Sequence, residues 1–262
     1  MTRILSIARV TWLEMARRKD AYVLLILLAA TLLLLVSLDV FGLGGMTGYV
    51  KDIGLLAAWI FGWILAVNTS VRQLPQEESR GTVFALLAKP ITRAQLIAGK
   101  WLGAWSSTAL AVLCFYAAVA AVVCLKGGTF QWGALAQTYA LQMAMLAVIQ
   151  SMTVALSTRL NADAAATLSY VLSAGAFVVL PKAGALLAPA AGAGGAALTA
   201  AYYLAPHLEL FDMRRRVVHD FGPTPWPAFS AVLLYGAVWT ALFIILAWLG
   251  YRRRRFSRTA ME

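Results

Sequence analysis

The sequence predicts an all-α integral membrane protein, one domain over residues 1–262 with six transmembrane helices. Three observations predict it. Of its 262 residues, 61% are hydrophobic and only 13% charged, with a mean hydropathy of +0.77. A soluble domain is about half apolar and a quarter charged, and a chain this apolar has too little polar surface to cover one core. The apolar residues also fall in runs of about 20, the length a helix needs to cross hydrocarbon. Finally, the basic residues gather beside those runs. The net charge of +11 therefore reads as membrane topology and leaves no surface for a nucleic-acid groove.

The first element is an interfacial helix over residues 2–19. On a helical wheel Ile4, Leu5, Ala8, Trp12, Met15 and Ala16 share one face. Arg3, Arg9, Glu14, Arg17 and Arg18 gather opposite, while Ile7, Val10 and Leu13 blur the boundary. Such a helix lies along a leaflet with its bases near anionic headgroups. Spans follow at about 21–40, 53–71, 101–125, 132–158, 164–187 and 226–251. The first is leucine-rich and lacks a small-residue cleavage site, so it reads as a span and not as a signal peptide.

Six spans put both termini on one side. That side collects Arg3, Arg9, Arg17, Arg18, Lys19, Arg72, Arg80, Lys89, Arg93, Lys100, Arg159 and the run Arg252–Arg258. The other holds Lys51, Lys126, Lys182 and Arg214 to Arg216. The positive-inside bias places both termini in the cytoplasm, in a multi-pass protein of the cell (inner or plasma) membrane.

Residues 188–225 form an outer re-entrant or helical segment. The uncharged Ala/Gly stretch from Ala183 to Pro206 could be drawn as a seventh span, but that would turn the terminal arginine run outward. Its glycines and prolines suit backbone buried against protein. "HLELFDMRRRVVHDF" then reads as an exposed helix opened by Pro206, with Glu209 and Asp212 early and Arg214–Arg216 late, as the helix dipole favours. His207 and His219 are widely spaced, so no metal site is expected. Cys114 and Cys124 share one span, about 15 Å apart, too far to bridge.

Polar residues inside the spans are few. Asn68, Thr69, Gln142 and Gln150 are candidates to line a mildly polar route. The same residues serve equally as interhelical hydrogen-bonding groups, worth about 0.6 kcal/mol each on average. No Asp, Glu, Lys or Arg lies at mid-depth in a span, which speaks against a carrier coupled to protons or sodium.

The most informative stretch is "QEESRGTVFALLAKPITRAQLIAGKWLG", Gln76 to Gly103. Acidic Glu77 and Glu78 follow Pro75 where a helix N-terminus favours negative charge. Val83, Leu86 and Leu87 make an apolar stripe, and Pro90 stops the helix at Lys89. Thr92 and Gln95 have capping-box spacing, so a new helix starts there and runs into the third span. Gly99 and Gly103 form a GxxxG that lets a neighbouring backbone approach closely. A short amphipathic helix over 76–88, held between rigid turns and joined to two spans, is built to transmit force or to dock on a partner.

This stretch resembles the signature of ABC-2 type permeases, the membrane subunits of ATP-binding-cassette exporters. The likeness lies in the acidic start, Arg80–Gly81–Thr82, the leucine-bearing run, Pro90–Ile91–Thr92–Arg93 and the Gly99–Lys100 opening of the next span. The number of spans, the basic N-terminal helix and the outer element fit as well. The resemblance implies that Gln76, Glu77, Glu78, Arg80, Gly81, Thr82, Leu86, Leu87, Pro90 and Arg93 contact a separate ABC ATPase. It also implies pairing with a second copy or a related permease around the route. ATP and Mg would be bound by the partner: no GxxxxGK[ST] loop is present, since Gly99–Lys100 is followed by Trp101. The expected function is a permease subunit without a catalytic centre or cofactor of its own. A secondary carrier or channel acting alone, and a non-transporting mechanical scaffold, are the other readings. The substrate is not legible.

Overall fold

The computed structural model describes residues 2–16, 20–37, 47–75, 92–187 and 193–252. All regular structure among them is helical: α1 (Thr2–Ala16), α2 (Asp20–Ser37), α3 (Thr47–Val71), α4 (Arg93–Leu125), α5 (Trp132–Ser157), α6 (Ala162–Val178), α7 (Leu180–Leu187), α8 (Ala193–Leu204), a 3-10 turn (Leu208–Phe211), α9 (Arg214–Val218) and α10 (Trp226–Arg252). Among the described residues four helices are long and apolar enough to cross a membrane: 47–75, α4, α5 and α10. The 18 residues of α2 and the 17 of α6 are shorter apolar helices. The molecule is a helical membrane bundle. The end at which α4 begins is called the base here, and the opposite end the far end.

Several boundaries differ from the sequence reading. The helix expected from residue 53 begins at Thr47, because its polar first turn packs against protein and hydropathy alone truncates it. The helix expected to start at the Thr92 and Gln95 capping box and run into the third span does so, from Arg93. The fifth span, expected to run to residue 187, stops at Val178 and resumes as α7. Pro181 explains the break, because its ring opposes the carbonyl of Phe177 and it has no N–H to donate.

α5 is the central helix and α10 the peripheral one, with 78% and 17% of their apolar windows buried. They run side by side in the same direction. A Cβ placed on Gly236 would lie 3.4 Å from Ala144, and one on Gly250 would lie 2.6 Å from Thr158 Oγ1. Leu55, Val112, Phe115, Leu141 and Leu146 fill the core between α3, α4 and α5.

The segment after α8 is not the exposed helix expected from sequence. Leu208, Phe211 and Val217 are buried, at 1%, 2% and 1% exposure. These three need an apolar surface to cover them, and the chain finds it by dipping into the bundle. The Phe211 ring sits on Gly236, about 15 Å along α10 from its first residue. The His207 N–H donates to the Tyr235 hydroxyl at 2.9 Å.

Asp212 and Arg214 form a forked ion pair at 2.7 and 2.8 Å, and the Arg214 guanidinium lies 4.9 Å from the Trp59 ring centre. Burial pushes the Asp212 carboxyl up, but its bonds to Arg214 outweigh this and hold it below the usual range. Trp59 is about 18 Å along α3, so the loop carries a charge pair to a depth where the spans supply none. Nearer the far end, buried Lys51 pairs with Asp220 at 3.0 Å. Asp220 takes a positive φ of 52°, which turns its carboxylate back onto α3.

Candidate coupling site

The base end of α4 gathers the motif residues the structure describes. Thr92 accepts from the Gln95 N–H at 3.2 Å, and the Gln95 side chain accepts from the Thr92 N–H at 3.1 Å. This reciprocal capping box satisfies two N–H groups that an uncapped helix leaves open. From there α4 runs 33 residues without a break, so the motif and the span share one rigid rod.

Arg93, the first residue of that rod, reaches across to α10. Its Nη1 donates to the Tyr251 carbonyl at 3.0 Å and to the Arg252 carbonyl at 2.7 Å. A guanidinium bonded to two neighbouring carbonyls makes charge-assisted hydrogen bonds, which are stronger than neutral ones, between the two helices.

The neighbour that closes on Gly99 and Gly103 is α1. A Cβ on Gly99 would sit 2.7 Å from Ile7 Cβ, and one on Gly103 would sit 2.7 Å from Thr11 Cβ and 2.9 Å from the Ala8 carbonyl oxygen. Between the glycines, Lys100 is buried to 3% exposure and bonds Glu14 of α1 at 3.3 Å. The N-terminal helix is therefore seated against protein along one face, while Leu5, Val10, Trp12 and Leu13 remain exposed.

A second apolar core lies at this end, separate from the main one. Ile7, Leu74, Leu96, Ile97, Val154, Ala247 and Tyr251 join α1, the helical turn 73–75, α4, α5 and α10. Leu74 and Leu96, both at 1% exposure or less, bracket the segment 76–91 in sequence.

The segment itself, with the expected helix over 76–88, lies outside the described residues. So do Gln76, Glu77, Glu78, Arg80, Gly81, Thr82, Leu86, Leu87 and Pro90. The structure brings together Arg93, Gly99 and Gly103, and adds Glu14, Lys100 and Tyr251, which sequence reasoning did not single out. One signal was available: Glu14 is the lone acid among the arginines of α1.

The polar span residues separate into two kinds. Gln142 is buried; it donates to the Ala58 carbonyl at 3.3 Å and accepts from the Tyr116 hydroxyl at 2.7 Å. Gln150 donates to Thr69 and Thr108 hydroxyls at 3.2 and 3.0 Å. These bonds tie α3, α4 and α5 together inside one chain. Asn68, by contrast, is exposed. Among the described residues no group of three or more His, Cys, Asp or Glu could hold a metal ion.

The described residues form a bundle of apolar helices with a separate core at the base end, the build of a helical membrane component. The family model described as ABC-2 family transporter protein matches residues 13–259. The chain belongs to that family, whose members are ABC permease membrane domains, components of transport that generally partner with an ATPase subunit. Among curated proteins none matches the chain.

Proposed function

We propose that the chain is the permease subunit of an ABC exporter, forming the substrate route as a dimer and driven by a separate ATPase. The observation that carries this reading is the base-end core, where Leu74 and Leu96, which flank the motif segment in sequence, meet residues of α1, α4, α5 and α10. An ATPase that binds ATP and Mg docks on Gln76–Ala88, with Arg80, Gly81, Thr82, Leu86, Leu87 and Pro90 shaping the contact. Its closure pulls the segment, and the rod beginning at Arg93 pivots. The base faces the cytoplasm, with both termini there, in the inner or plasma membrane. Exposed Asn68 is placed to line the route, while Thr69, Gln142 and Gln150 brace the helices that border it.

Two measurements test this. In a variant with Cys114 and Cys124 replaced, both being exposed, single cysteines at Arg80 and Arg258 label only from the cytoplasm and one at Arg215 only from outside. The chain co-purifies with a co-expressed ABC ATPase and hydrolyses no ATP alone. Labelling of 215 and 258 from the same side, or stoichiometric hydrolysis by the chain alone, overturns the reading.

A further inference from the structure

Outside the base-end core, the proposed mechanism leaves unused a cavity of about 830 Å³ on the flank of the bundle. Its floor is α5, and its two walls are α6 and α10. It begins at Thr158 and Arg159, at the base, and ends beneath Leu208 of the 3-10 turn. Because that turn sits at the level of Ala144, the slot runs about 20 Å along α5. One leaflet with its headgroup region has the same depth, half of about 40–45 Å.

The walls are aliphatic. Leu172 and Val179 on one side, and Leu246 and Leu249 on the other, are between 44% and 59% exposed within the chain, so the slot opens sideways. Among the described residues Arg159 is the one charged group in its lining, and it stands at the base-end mouth. The mouth decides between occupants. A span of a second copy would set apolar side chains against Arg159, whereas an anionic amphiphile sets its phosphate there. The slot falls within the 300–1,000 Å³ usual for ligand sites.

We propose that this slot binds an anionic phospholipid of the base-side leaflet, its acyl chain along α5 between α6 and α10 and its phosphate on Arg159. That this leaflet is the cytoplasmic one rests on the orientation proposed above. A basic side chain at the cytoplasmic mouth of a cleft between membrane helices is the arrangement that recognises anionic headgroups. The bound lipid fills a gap that the folded chain leaves open beside its re-entrant turn.

Gly175 supplies a clean test. It lines the slot, and a Cβ placed on it would meet nothing within 4 Å, so Gly175→Phe fills the space without a clash. The purified chain is delipidated in detergent, then titrated with phosphatidylglycerol or phosphatidylcholine. Retained lipid is counted by native mass spectrometry, thermal stability is recorded in parallel, and oligomeric state is read from the same spectra. The unmodified chain prefers phosphatidylglycerol by about fivefold, the increment one base near an anionic headgroup supplies. Arg159→Gln brings that preference to about unity and Arg159→Lys keeps it. Gly175→Phe, folded as judged by its lipid-free melting, retains neither lipid in the slot. Equal binding of both lipids by the unmodified chain, a preference surviving Arg159→Gln, or lipid retention by Gly175→Phe overturns the proposal. So does loss of a dimer by Gly175→Phe with lipid binding intact, which would assign the slot to a second copy. No ATPase and no transport enter the readout, so failure here is separate from failure of the permease reading.

Discussion

The guanidinium of Arg93 donates to the backbone carbonyls of Tyr251 and Arg252, at 3.0 and 2.7 Å. The first residue of α4 is thereby bonded to α10, although 158 positions separate Arg93 from Tyr251. The segment a partner would push and the helix at the bundle's edge are joined by one side chain.

Removing that side chain tests the joint. Arg93→Ala removes both hydrogen bonds to α10 and lowers thermal stability in detergent by about 1–2 kcal/mol. Arg93→Lys, with a point charge in place of a fork, recovers part of the loss. If α10 amides near residue 250 exchange hydrogen at the same rate in Arg93→Ala, Arg93 does not hold α10.

The seating of α1 rests on two glycines. Gly103→Ala places a methyl 2.9 Å from the Ala8 carbonyl oxygen and 2.7 Å from Thr11 Cβ, so α1 must move away or the contact must strain. The expected cost is about 1–3 kcal/mol, the usual range for overpacking, with faster proteolysis of α1. Alanine at the open position Gly175 is the control and is tolerated. Equal protease resistance in the two variants would show that α1 is held by something else.

Glu14 and Lys100 are unequal partners, the first 38% and the second 3% exposed. Glu14→Ala removes one charged hydrogen bond from a buried ammonium, and the expected cost is about 1.5–3 kcal/mol. Chemical denaturation in detergent measures it, and an unchanged midpoint refutes the argument.

Gln150 tests whether the polar span residues are structural. A double-mutant cycle between Gln150→Ala and Thr108→Ala should give a coupling of about 0.6 kcal/mol, and at most about 1.7. A variant that keeps its stability but loses transport would instead favour a role in the route.

Coupling itself is tested at Glu77 and Glu78. Reversing both to Lys costs about 0.3–1 kcal/mol per site in the helix, too little to unfold the bundle. The variant inserts and pairs with itself but binds and stimulates its ATPase poorly. Asp52→Lys, on an exposed residue near the far end, is the control and leaves ATPase binding unchanged. Full association and transport by the Glu77/Glu78 variant would reduce the acidic start to a solvated cap.

The sequence by itself determined what depends on neighbours along the chain. Runs of about 20 apolar residues announced the bundle, and Thr92 with Gln95 announced the start of α4 because a capping box is closed within one turn. Gly99 and Gly103 announced a close approach, since small residues four apart leave one flat stripe on a helix. What the stripe touches was not legible, because nothing local ties Ile7 and Thr11 to positions ninety residues onward. The outer segment shows the same limit. Its charges read as a solvated helix by dipole logic, yet Leu208, Phe211 and Val217 outweigh them once the bundle offers Gly236 and Ala144 to cover. Likewise, Gln142 and Gln150 look alike as lining or as bracing until α3 and α4 bring Ala58, Tyr116, Thr69 and Thr108 within hydrogen-bond reach. Helix starts and membrane residence are set by local hydrogen bonding and hydropathy; which polar and charged groups are neutralised, and by whom, is set only when distant helices pack.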